Sequence, residues 1–515
     1  MGSFGERFIK FAWKTIRVRW GARLPLAVAW IALLPLAARA QNFSVGTNFT
    51  GTQRSDETAL LGFSYNPPNF SGAVGPTNVV ELLNGDYSVY DRTGALQTAR
   101  ISSDNFWNTA LGQSGGTGGV TFSADNRILY DPASQRWYAA GLYAHGTTNS
   151  QFLIGVTTGS DPSLQNWRAF SVKADNTSAR YADFVELGMN GTGVYMTANM
   201  FPVDTSVTTV TETAIGIPKS SLMAATPSLT GVQMQANLPA TAGVNTGLGF
   251  SAYPSFDPTG STQPVNTFSL VTGNANRAKV DQFPAGFTTP WQVNTVSPLA
   301  VIPGQSQAPD AHQPGTTDRV WPIDSRQSTT VFSRNGHLYS VNGINVGGRA
   351  GIQWQDVLIS NPRTVVFNTI FDTNMDLYEP SLALNDAGNI VIGYSASSDT
   401  IPISTYVAVG QTDFNGNTTF GTPVQTHVGA DTYHILDTNL NKIRWGDYSS
   451  TVIDPNDPYS FWTFQGFING NNNWAVQVTQ IQVVPEPATL ILLATATLGF
   501  LGIRRRRAAR SQPVH

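Results

Sequence analysis

The pattern of hydrophobic and polar positions divides the chain into three parts. Between residues 43 and 483, apolar and polar residues alternate in short runs that end at turn-forming residues, and Thr, Val, Asn, Gly and aromatic residues dominate. This period of two is typical of β-strands. Residues 24–37 and 488–503 instead form longer apolar runs. The pattern predicts a body of short β-strands, with almost no helix, between two apolar terminal segments.

A strand, turn and strand unit recurs along the body. Each unit has a short polar turn containing Asp or Asn, often with Gly, between two apolar stretches, as expected for a β-hairpin. The turns are centred at residues 91, 131, 190, 257, 335, 386 and 454, with spacings of 40–78 residues. A propeller blade needs at least about 40–50 residues. We therefore predict an all-β fold, a β-propeller with seven blades. The uneven spacing also allows six or eight blades, or a two-domain sandwich.

The first 40 residues resemble an export signal. They carry seven Lys or Arg residues, a 14-residue apolar run at 24–37, and the sequence Ala38-Arg39-Ala40. This order of basic segment, apolar segment and small-residue cleavage site is that of a secretory signal peptide. The run is shorter than the roughly 20 residues of a spanning helix. We expect the export translocon to carry the chain across the membrane and the signal peptide to be cleaved after Ala40.

The other terminus has three consecutive features. Val484-Pro485-Glu486-Pro487 precedes the 16-residue apolar run 488–503, and four arginines follow, at positions 504, 505, 506 and 507 (Arg504, Arg505, Arg506 and Arg507). The run predicts a single short transmembrane helix, and the arginines place its end on the cytoplasmic side. The body then lies across the membrane.

This tripartite tail resembles the PEP-CTERM sorting signal of Gram-negative bacteria. The resemblance implies that an exosortase, a membrane-embedded processing enzyme, recognises Pro485-Glu486-Pro487 and removes the helix. The anchor in the inner membrane would then be transient, and the protein would end at the cell surface or outside the cell. A plain C-terminal anchor is the alternative.

These features predict four segments. Residues 1–40 are a signal peptide, 41–71 a lead-in segment, 72–483 the propeller, and 484–515 the sorting signal.

Charge and composition exclude several functions. Residues 41–483 carry 18 Lys and Arg against 31 Asp and Glu. A body this acidic repels phosphate backbones, so we expect no nucleic-acid partner. The chain has no cysteine, which excludes disulfides, thiolate metal sites and a cysteine nucleophile. No phosphate-binding or dinucleotide-binding motif occurs, and the histidines are scattered. We expect no cofactor and no metal.

Several body segments resemble secreted sialidase-like, or BNR-like, propeller proteins. They are residues 73–80, 129–132, 380–384 and 444–449. A sialidase would need three arginines around a carboxylate, a Tyr nucleophile with a Glu partner, and an Asp acid. Arg326, Arg334 and Arg444 lie in separate predicted blades and could converge on a central channel. The interpretation we favour is that they are structural residues, salt-bridged or solvated.

The resemblance offers weak support for catalysis. The body has five glutamates: Glu57, Glu81, Glu186, Glu212 and Glu379. Tyr378 and Glu379 are adjacent, and adjacent strand residues point to opposite faces. We therefore assign no catalytic residue.

One cluster stands out as a candidate ligand contact. Arg444, Trp445, Asp447 and Tyr448 form the densest group of polar and aromatic residues in the body. They could bind a ligand near the channel, or Trp445 could pack between blades while Asp447 caps a turn. Four other tryptophans could pack between blades or, if exposed, stack on sugars: Trp321, Trp354, Trp462 and Trp474.

Two function classes follow. The first is a non-enzymatic surface or matrix protein whose propeller binds extracellular polysaccharide or protein. The second is a secreted glycan-active enzyme of sialidase or glycoside hydrolase type, which needs two carboxylates about 5–10 Å apart. The absence of an evident nucleophile favours the first.

Overall fold

The computed structural model describes residues 42–484, apart from residues 178, 205–208, 241–247, 272–276, 296–305, 361–363 and 414–415. The predicted signal peptide, its cleavage residues Ala38 and Ala40, and the sorting signal beyond Val484 lie outside the described residues. Within them the chain is all-β, as predicted, and its strands form consecutive antiparallel meanders.

The first part of the described chain builds two meanders. It begins with β1 (Phe43–Gln53) and α1 (Arg54–Leu61). Meander 1 consists of β2 (Gly72–Val74), β3 (Asn78–Leu82) and β4 (Tyr87–Asp91), followed by α2 (Ser103–Gln113). Meander 2 consists of β5 (Ala124–Asp131), β6 (Arg136–Tyr143), β7 (Gln151–Thr157) and β8 (Trp167–Lys173), with a 3-10 turn at Leu164–Asn166.

Three meanders share one continuous sheet. Meander 3 consists of β9 (Arg180–Met189), β10 (Gly193–Pro202), β11 (Thr211–Pro218) and β12 (Gln233–Pro239), with α3 (Lys219–Leu222). Meander 4 consists of β13 (Tyr253–Phe256), β14 (Asn266–Val271), β15 (Arg277–Gln282) and β16 (Asn294–Thr295). After β17 (Val320–Trp321), meander 5 consists of β18 (Val331–Arg334), β19 (His337–Val346), β20 (Arg349–Leu358) and β21 (Thr364–Ile370). The strands β9, β13 and β18 pair in parallel.

The last part of the chain completes the set. Meander 6 consists of β22 (Asp376–Leu384), β23 (Asn389–Ser397), β24 (Ser404–Thr412), β25 (Thr418–Phe420) and β26 (Val424–His427). The short strands β27 (Leu436–Asp437) and β28 (Lys442–Arg444) pair with each other, and β28 also pairs with β17. Meander 7 consists of β29 (Ser450–Asp454), β30 (Asp457–Ile468) and β31 (Trp474–Val483), with β1 as its fourth strand.

The pairing of β1 with β31 joins the two ends of the described chain. Phe43 lies opposite Val483, Gln53 lies opposite Ala475, and the N–H of Val484 donates to the carbonyl of Asn42 at 2.8 Å. The segment predicted as a lead-in therefore contributes a strand to the last meander.

The first strands of the meanders lie side by side. The strand β2 contacts both β29 and β5, β5 contacts β9, and β9 continues through β13 to β18. The strand β22 packs on meander 5 and contacts β29. The apolar core lies between successive meanders, with members such as Leu142, Leu187, Ile352, Ile392 and Phe461.

The recurring turns gather at one end of these first strands, which we call the turn end. Six of the seven predicted turns, all except the one at residue 91, join the first and second strands of meanders 2 to 7. The turn at residue 91 follows β4, and the equivalent turn of meander 1 is at residues 75–77. Turn-end residues from five meanders enclose an apolar cavity of about 170 Å³, among them Val74, Pro132, Phe256, Phe332 and Pro455.

The opposite ends of five first strands share an unusual backbone conformation. Five non-glycine residues have a φ of +48° to +61°: Asn69, Asp125, Phe184, Ser251 and Glu379. Each lies six positions before the residue that begins the turn of its meander, so the repeat is structural although the residue types differ. Those turn residues are Gly75, Asp131, Asn190, Asp257 and Asn385. L-residues avoid this left-handed region. We call these five positions the corner residues.

All five glutamates of the body are buried, with exposed fractions of 0–1%. Glu186, on β9, accepts a hydrogen bond from Thr197 Oγ1 at 2.8 Å, and its Oε1 has no partner. Burial is the main reason that the pKa of Glu186 rises to about 8. Glu212 accepts the N–H of the corner residue Ser251 at 2.9 Å. Burial, reinforced by the charge of Glu186, raises the pKa of Glu212 well above its usual value.

A buried ion pair ties meander 3 to meander 2. Lys219 Nζ lies 2.6 Å from Asp131 Oδ2, and the two side chains are 3% and 0% exposed. The same ammonium donates to the carbonyl of Asn190 at 2.8 Å and lies over the ring of Tyr138. Removing one member of a buried pair leaves the other charge without compensation.

We therefore expect Lys219→Met to lower the free energy of unfolding by about 3–5 kcal/mol, measured by urea denaturation. The control is Lys442→Met, because Lys442 and Asp310 form a pair that is 41% and 30% exposed and such pairs contribute below about 1 kcal/mol. Equal losses in the two variants would contradict the assignment.

We also expect Glu186→Gln to change how stability depends on pH. The folded state holds a proton on Glu186 that the unfolded chain loses above its ordinary pKa of 4.5. The native protein therefore loses stability as pH rises from about 4.5 to about 8. The glutamine variant lacks this loss, so its stability relative to the native protein increases across that window, by on the order of 1 kcal/mol per pH unit.

Urea midpoints at pH 5, 6, 7 and 8 measure this change. Asp399→Asn is the control because Asp399 is 60% exposed. Desolvation opposes ionisation of its carboxyl, but the hydrogen bond from Arg349 and the charges of His312, Arg349 and Arg319 together lower its pKa. It is ionised in both states across this range, so its replacement leaves the slope unchanged. A pH-independent offset for Glu186→Gln would refute the assignment.

Candidate functional site

A polar cluster occupies the end of the first strands opposite the turn end, which we call the mouth. The corner residues lie there, and the inserted segment carrying β17, β27 and β28 adjoins them. Its charged members come from several meanders: Asp125, Asp183, Arg326, Arg444 and Asp447.

Hydrogen bonds connect four meanders in sequence at the mouth. The N–H of Asp447 donates to Asn69 Oδ1 at 3.0 Å, and Asn69 Nδ2 donates to Asp125 Oδ1 at 3.1 Å. The N–H of Phe184 donates to Asp125 Oδ2 at 2.7 Å. At these positions the backbone N–H groups of Phe184 and Asp447 donate to buried side chains instead of to a neighbouring strand. We call this series the corner chain.

The environment of Asp125 disfavours the ionised form of its carboxyl. It is 6% exposed, and burial, together with the charges of Asp183 and Asp447, raises its pKa to about 6. Asp125 therefore exchanges its proton near neutral pH, which an ordinary aspartate does not do.

Asp183 lies beside Asp125 but has the opposite shift. Its carboxyl is 34% exposed and contacts His145 Nε2 at 3.1 Å. Burial opposes ionisation, but the hydrogen bond and charge of His145, with Arg326 and Arg444 further off, lower the pKa of Asp183. Burial likewise opposes protonation of His145, and the ion pair with Asp183 nonetheless raises the pKa of the imidazole.

The sequence-predicted cluster at 444–448 divides into an exposed and a buried part. Arg444 is 23% exposed and grips Asp447 with Nη2 at 2.8 Å from both carboxylate oxygens. It also lies over the ring of Trp321, at 5.8 Å. Trp445 and Tyr448 are fully buried, so Arg444 is the member that reaches solvent.

Arg326 and Arg444 both lie at the mouth, whereas Arg334 lines the turn-end cavity. Arg326 binds Asp324 through Nε and Nη2, at 2.7 and 2.6 Å. Its guanidinium lies 4.8 Å from the ring centres of both Phe184 and Phe250. Two of the three arginines therefore lie at one end of the body, and all three form ion pairs with aspartates.

Glu379 is buried against the chain at Gly446. Its carboxyl oxygens have no partner with good hydrogen-bond geometry, and a Cβ at Gly446 would lie 2.7 Å from Glu379 Oε2. Burial, and then the charge of Asp447, raise the pKa of Glu379 well above its usual value. Tyr378 is also buried and donates to Ser397 Oγ at 3.0 Å, so the two side chains have separate surroundings.

One central side chain escaped the sequence analysis. Arg127 is 5% exposed and donates to the carbonyls of Val185 and Ser328, at 3.0 and 2.9 Å. Its guanidinium lies 3.2 Å from the ring centre of Tyr448. Nothing in its sequence context distinguishes it, because its partners are 58 and 201 residues away.

Three further histidines have local ion-pair partners, and the four tryptophans named from the sequence are at least half-buried. His312, His337 and His434 each pair with an aspartate: Asp376, Asp356 and Asp318. Among the described residues, no group of three or more His, Asp or Glu side chains is placed to hold a metal ion. Trp354, Trp462 and Trp474 are buried, and Trp321 is half-buried.

Aromatic side chains border the charged groups. His145 packs on Tyr181 at 4.8 Å, Tyr181 stacks on Phe201 at 5.9 Å, and Phe201 contacts Phe250 at 6.4 Å. These three aromatic residues are half-buried. The mouth therefore combines partly exposed rings with paired charges that can donate and accept hydrogen bonds.

Three solved structures illustrate what the chain is similar to. A Dyadobacter fermentans protein of unknown function is 9% identical, with a TM-score of 0.39, over 70% of this chain and 95% of that one. An alpha-L-arabinofuranosidase from Lactobacillus brevis is 12% identical, with a TM-score of 0.33, over 58% and 94%. A Penicillium chrysogenum alpha-L-arabinanase is 11% identical, with a TM-score of 0.30, over 58% and 92%. The predicted sialidase-like character is not confirmed by these matches.

No curated protein matches the sequence. Within the described part of the chain, every helix is too short or too polar to span a bilayer, and the predicted transmembrane helix lies outside that part. The family model described as the PEP-CTERM protein-sorting motif matches residues 483–507. The sorting motif predicted from Val484-Pro485-Glu486-Pro487 and the four arginines is confirmed: the chain carries a PEP-CTERM sorting motif, which implies an exported protein that is processed by an exosortase-type membrane enzyme.

Proposed function

We propose that this protein is an exported cell-surface or extracellular-matrix protein whose body is a seven-bladed β-propeller that binds extracellular polysaccharide at its mouth. The seven meanders and the contacts between their first strands support the propeller. The pairing of β1 with β31 supports it further, because a strand from the start of the chain completes the last blade.

The sorting motif supports export. In this proposal residues 1–40 act as the signal peptide for the export translocon, and the segment after Val484 is a temporary anchor in the inner membrane of a Gram-negative cell. An exosortase-type enzyme then processes the chain.

The observation that carries the binding proposal is that four charged or ionisable side chains are partly exposed at the mouth. Asp183, His145, Arg444 and Arg326 are 34%, 44%, 23% and 14% exposed. Each is held by a partner, so little conformational entropy is lost when a ligand contacts it. Partly exposed rings beside such groups suit a sugar, which has apolar ring faces and hydroxyl edges.

Charge favours a neutral polysaccharide. Arg326 and Arg444 are both neutralised by bound aspartates, and the pair formed by Asp183 and His145 adds no net positive charge. An anionic polymer would find no net positive charge here and would be repelled by the acidic body as a whole.

Glycoside hydrolysis is a second candidate, and one observation favours it. Asp125 and Asp183 are neighbouring carboxylates whose pKa values are displaced in opposite directions. Such a pair can supply a protonated acid and an ionised base at one pH. Against it, both oxygens of Asp125 already accept hydrogen bonds of the corner chain.

Binding can be tested on a glycan array with the fluorescently labelled full-length chain. We expect neutral polysaccharides to bind and His145→Ala to weaken binding at least ten-fold, because one charge-assisted hydrogen bond contributes about 1.5–3 kcal/mol. His337→Ala is a matched control. His337 also pairs with an aspartate, Asp356, but it lies at the turn end, away from the mouth. Absence of glycan binding, or equal losses in both variants, would refute the proposal.

Hydrolysis can be tested on the glycans that bind, by assaying reducing ends. If the second candidate holds, Asp183→Asn lowers turnover at least a hundred-fold while thermal unfolding stays close to that of the native chain, because its carboxyl is 34% exposed. Release of sugars that is unchanged in this variant, or absent in the native protein, would eliminate hydrolysis at the mouth and leave binding intact.

A further inference from the structure

Three aromatic residues form an exposed group beside the mouth, which we call the platform. Phe63 and Phe122 are 44% and 65% exposed, and Tyr65 is half-buried. The ring centre of Phe63 lies 5.5 Å from that of Tyr65 and 6.2 Å from that of Phe122. Exposed rings in contact with one another are an unfavourable arrangement unless something covers them.

The backbone holds Phe122 in this exposed position. Its φ is +56°, a conformation that bulky residues rarely adopt. The carboxylate of Asp104 accepts the N–H of Phe122 at 2.8 Å and that of Ser123 at 2.7 Å. A clamped and strained backbone that presents an apolar ring to solvent is typical of a binding site.

The platform borders a cavity of about 660 Å³. Tyr65 and Phe122 line it together with Tyr143 and His145, and the hydroxyl and amide groups of Thr121, Thr147 and Asn149 complete the wall. The volume lies within the roughly 300–1,000 Å³ of ligand sites. The lining combines aromatic rings with uncharged polar groups, and these suit the apolar faces and the hydroxyl edges of a sugar ring.

His145 connects this cavity to the mouth. It lines the cavity, and its Nε2 contacts Asp183 at 3.1 Å. Asp183 precedes the corner residue Phe184, whose ring lies against Arg326. The cavity and the mouth therefore form one continuous surface.

We propose that the platform and its cavity bind consecutive pyranose units of a neutral polysaccharide, with the rings of Phe63 and Phe122 stacked against the apolar faces of the sugars. The inference rests on the proposed function, because the same polymer then continues to the mouth. It adds a second part of the binding surface, so that the ligand contacts the protein over several consecutive sugar units. Among the described residues, His145 is the one ionisable side chain other than tyrosine that lines the cavity, which matches an uncharged ligand.

The test uses isothermal titration of the full-length chain in a detergent without a sugar headgroup. The probes are cellohexaose, xylohexaose and mannohexaose, with the corresponding disaccharides. We expect the best hexasaccharide to bind Phe122→Ala and Phe63→Ala at least ten-fold more weakly than the native chain, and Phe122→Trp within three-fold of it. The disaccharides bind the native chain at least ten-fold more weakly than the hexasaccharide.

Phe371→Ala is the matched control, because Phe371 is a 54% exposed phenylalanine outside the platform. It should leave affinity unchanged, and thermal unfolding of all variants shows that they are folded. Hexasaccharide binding that is lost in His145→Ala but unchanged in Phe122→Ala would overturn the platform inference and leave the proposed function standing. Failure of the native chain to bind any probe, in titration and on the array, would overturn both.

Sedimentation velocity shows whether the platform is covered by a second copy of the chain rather than by a sugar. If the native chain forms a dimer that Phe122→Ala and Phe63→Ala dissociate and Phe371→Ala does not, the platform is an interface between copies and the sugar inference is wrong. A monomer with the platform-dependent affinities above supports it.

Discussion

The series of hydrogen bonds from Asp447 through Asn69 and Asp125 to Phe184 is the interaction on which the arrangement of the mouth depends. Each link joins a side chain of one meander to a group of the next. Five corner residues adopt a backbone conformation that costs about 1–2 kcal/mol per residue. Burial of the first strands and capture of the freed N–H groups offset this cost. The same bonds place Asp125 beside Asp183, so the framework of the mouth and its unusual proton affinities have one origin.

The two ends of the first strands differ in chemistry because different residue types gather there. Tight turns rich in proline bring apolar side chains together at one end, around Pro132, Phe256 and Pro455. The corners and the inserted strands bring charges together at the other, where Arg326 and Arg444 each hold an aspartate.

The all-β class and six of the turns could be predicted because their signals are local. In the turn at Asn385, for example, the side chain accepts the N–H groups of Ala387 and Asn389, and this preference is written in a few adjacent residues. The pairing of β1 with β31 has no such signal, since Phe43 and Val483 are distant in sequence. At the site, the short spacing of Arg444 and Asp447 was visible. Asp125 and Asp183 were not, because hydrogen bonds between distant segments determine their surroundings. Phe122 was missed because the sequence does not distinguish an exposed phenylalanine from one in the core.

The closing strand pair has a geometric consequence for how the molecule is displayed. Gln482 lies opposite Ser460, near the turn at Asp454 and Asp457, so β31 leaves the body at the turn end, where Val484 is bonded to Asn42. The first and last described residues, Asn42 and Val484, are therefore neighbours at the turn end. The sorting motif, which starts at residue 483, therefore begins at the turn end, opposite the polar mouth.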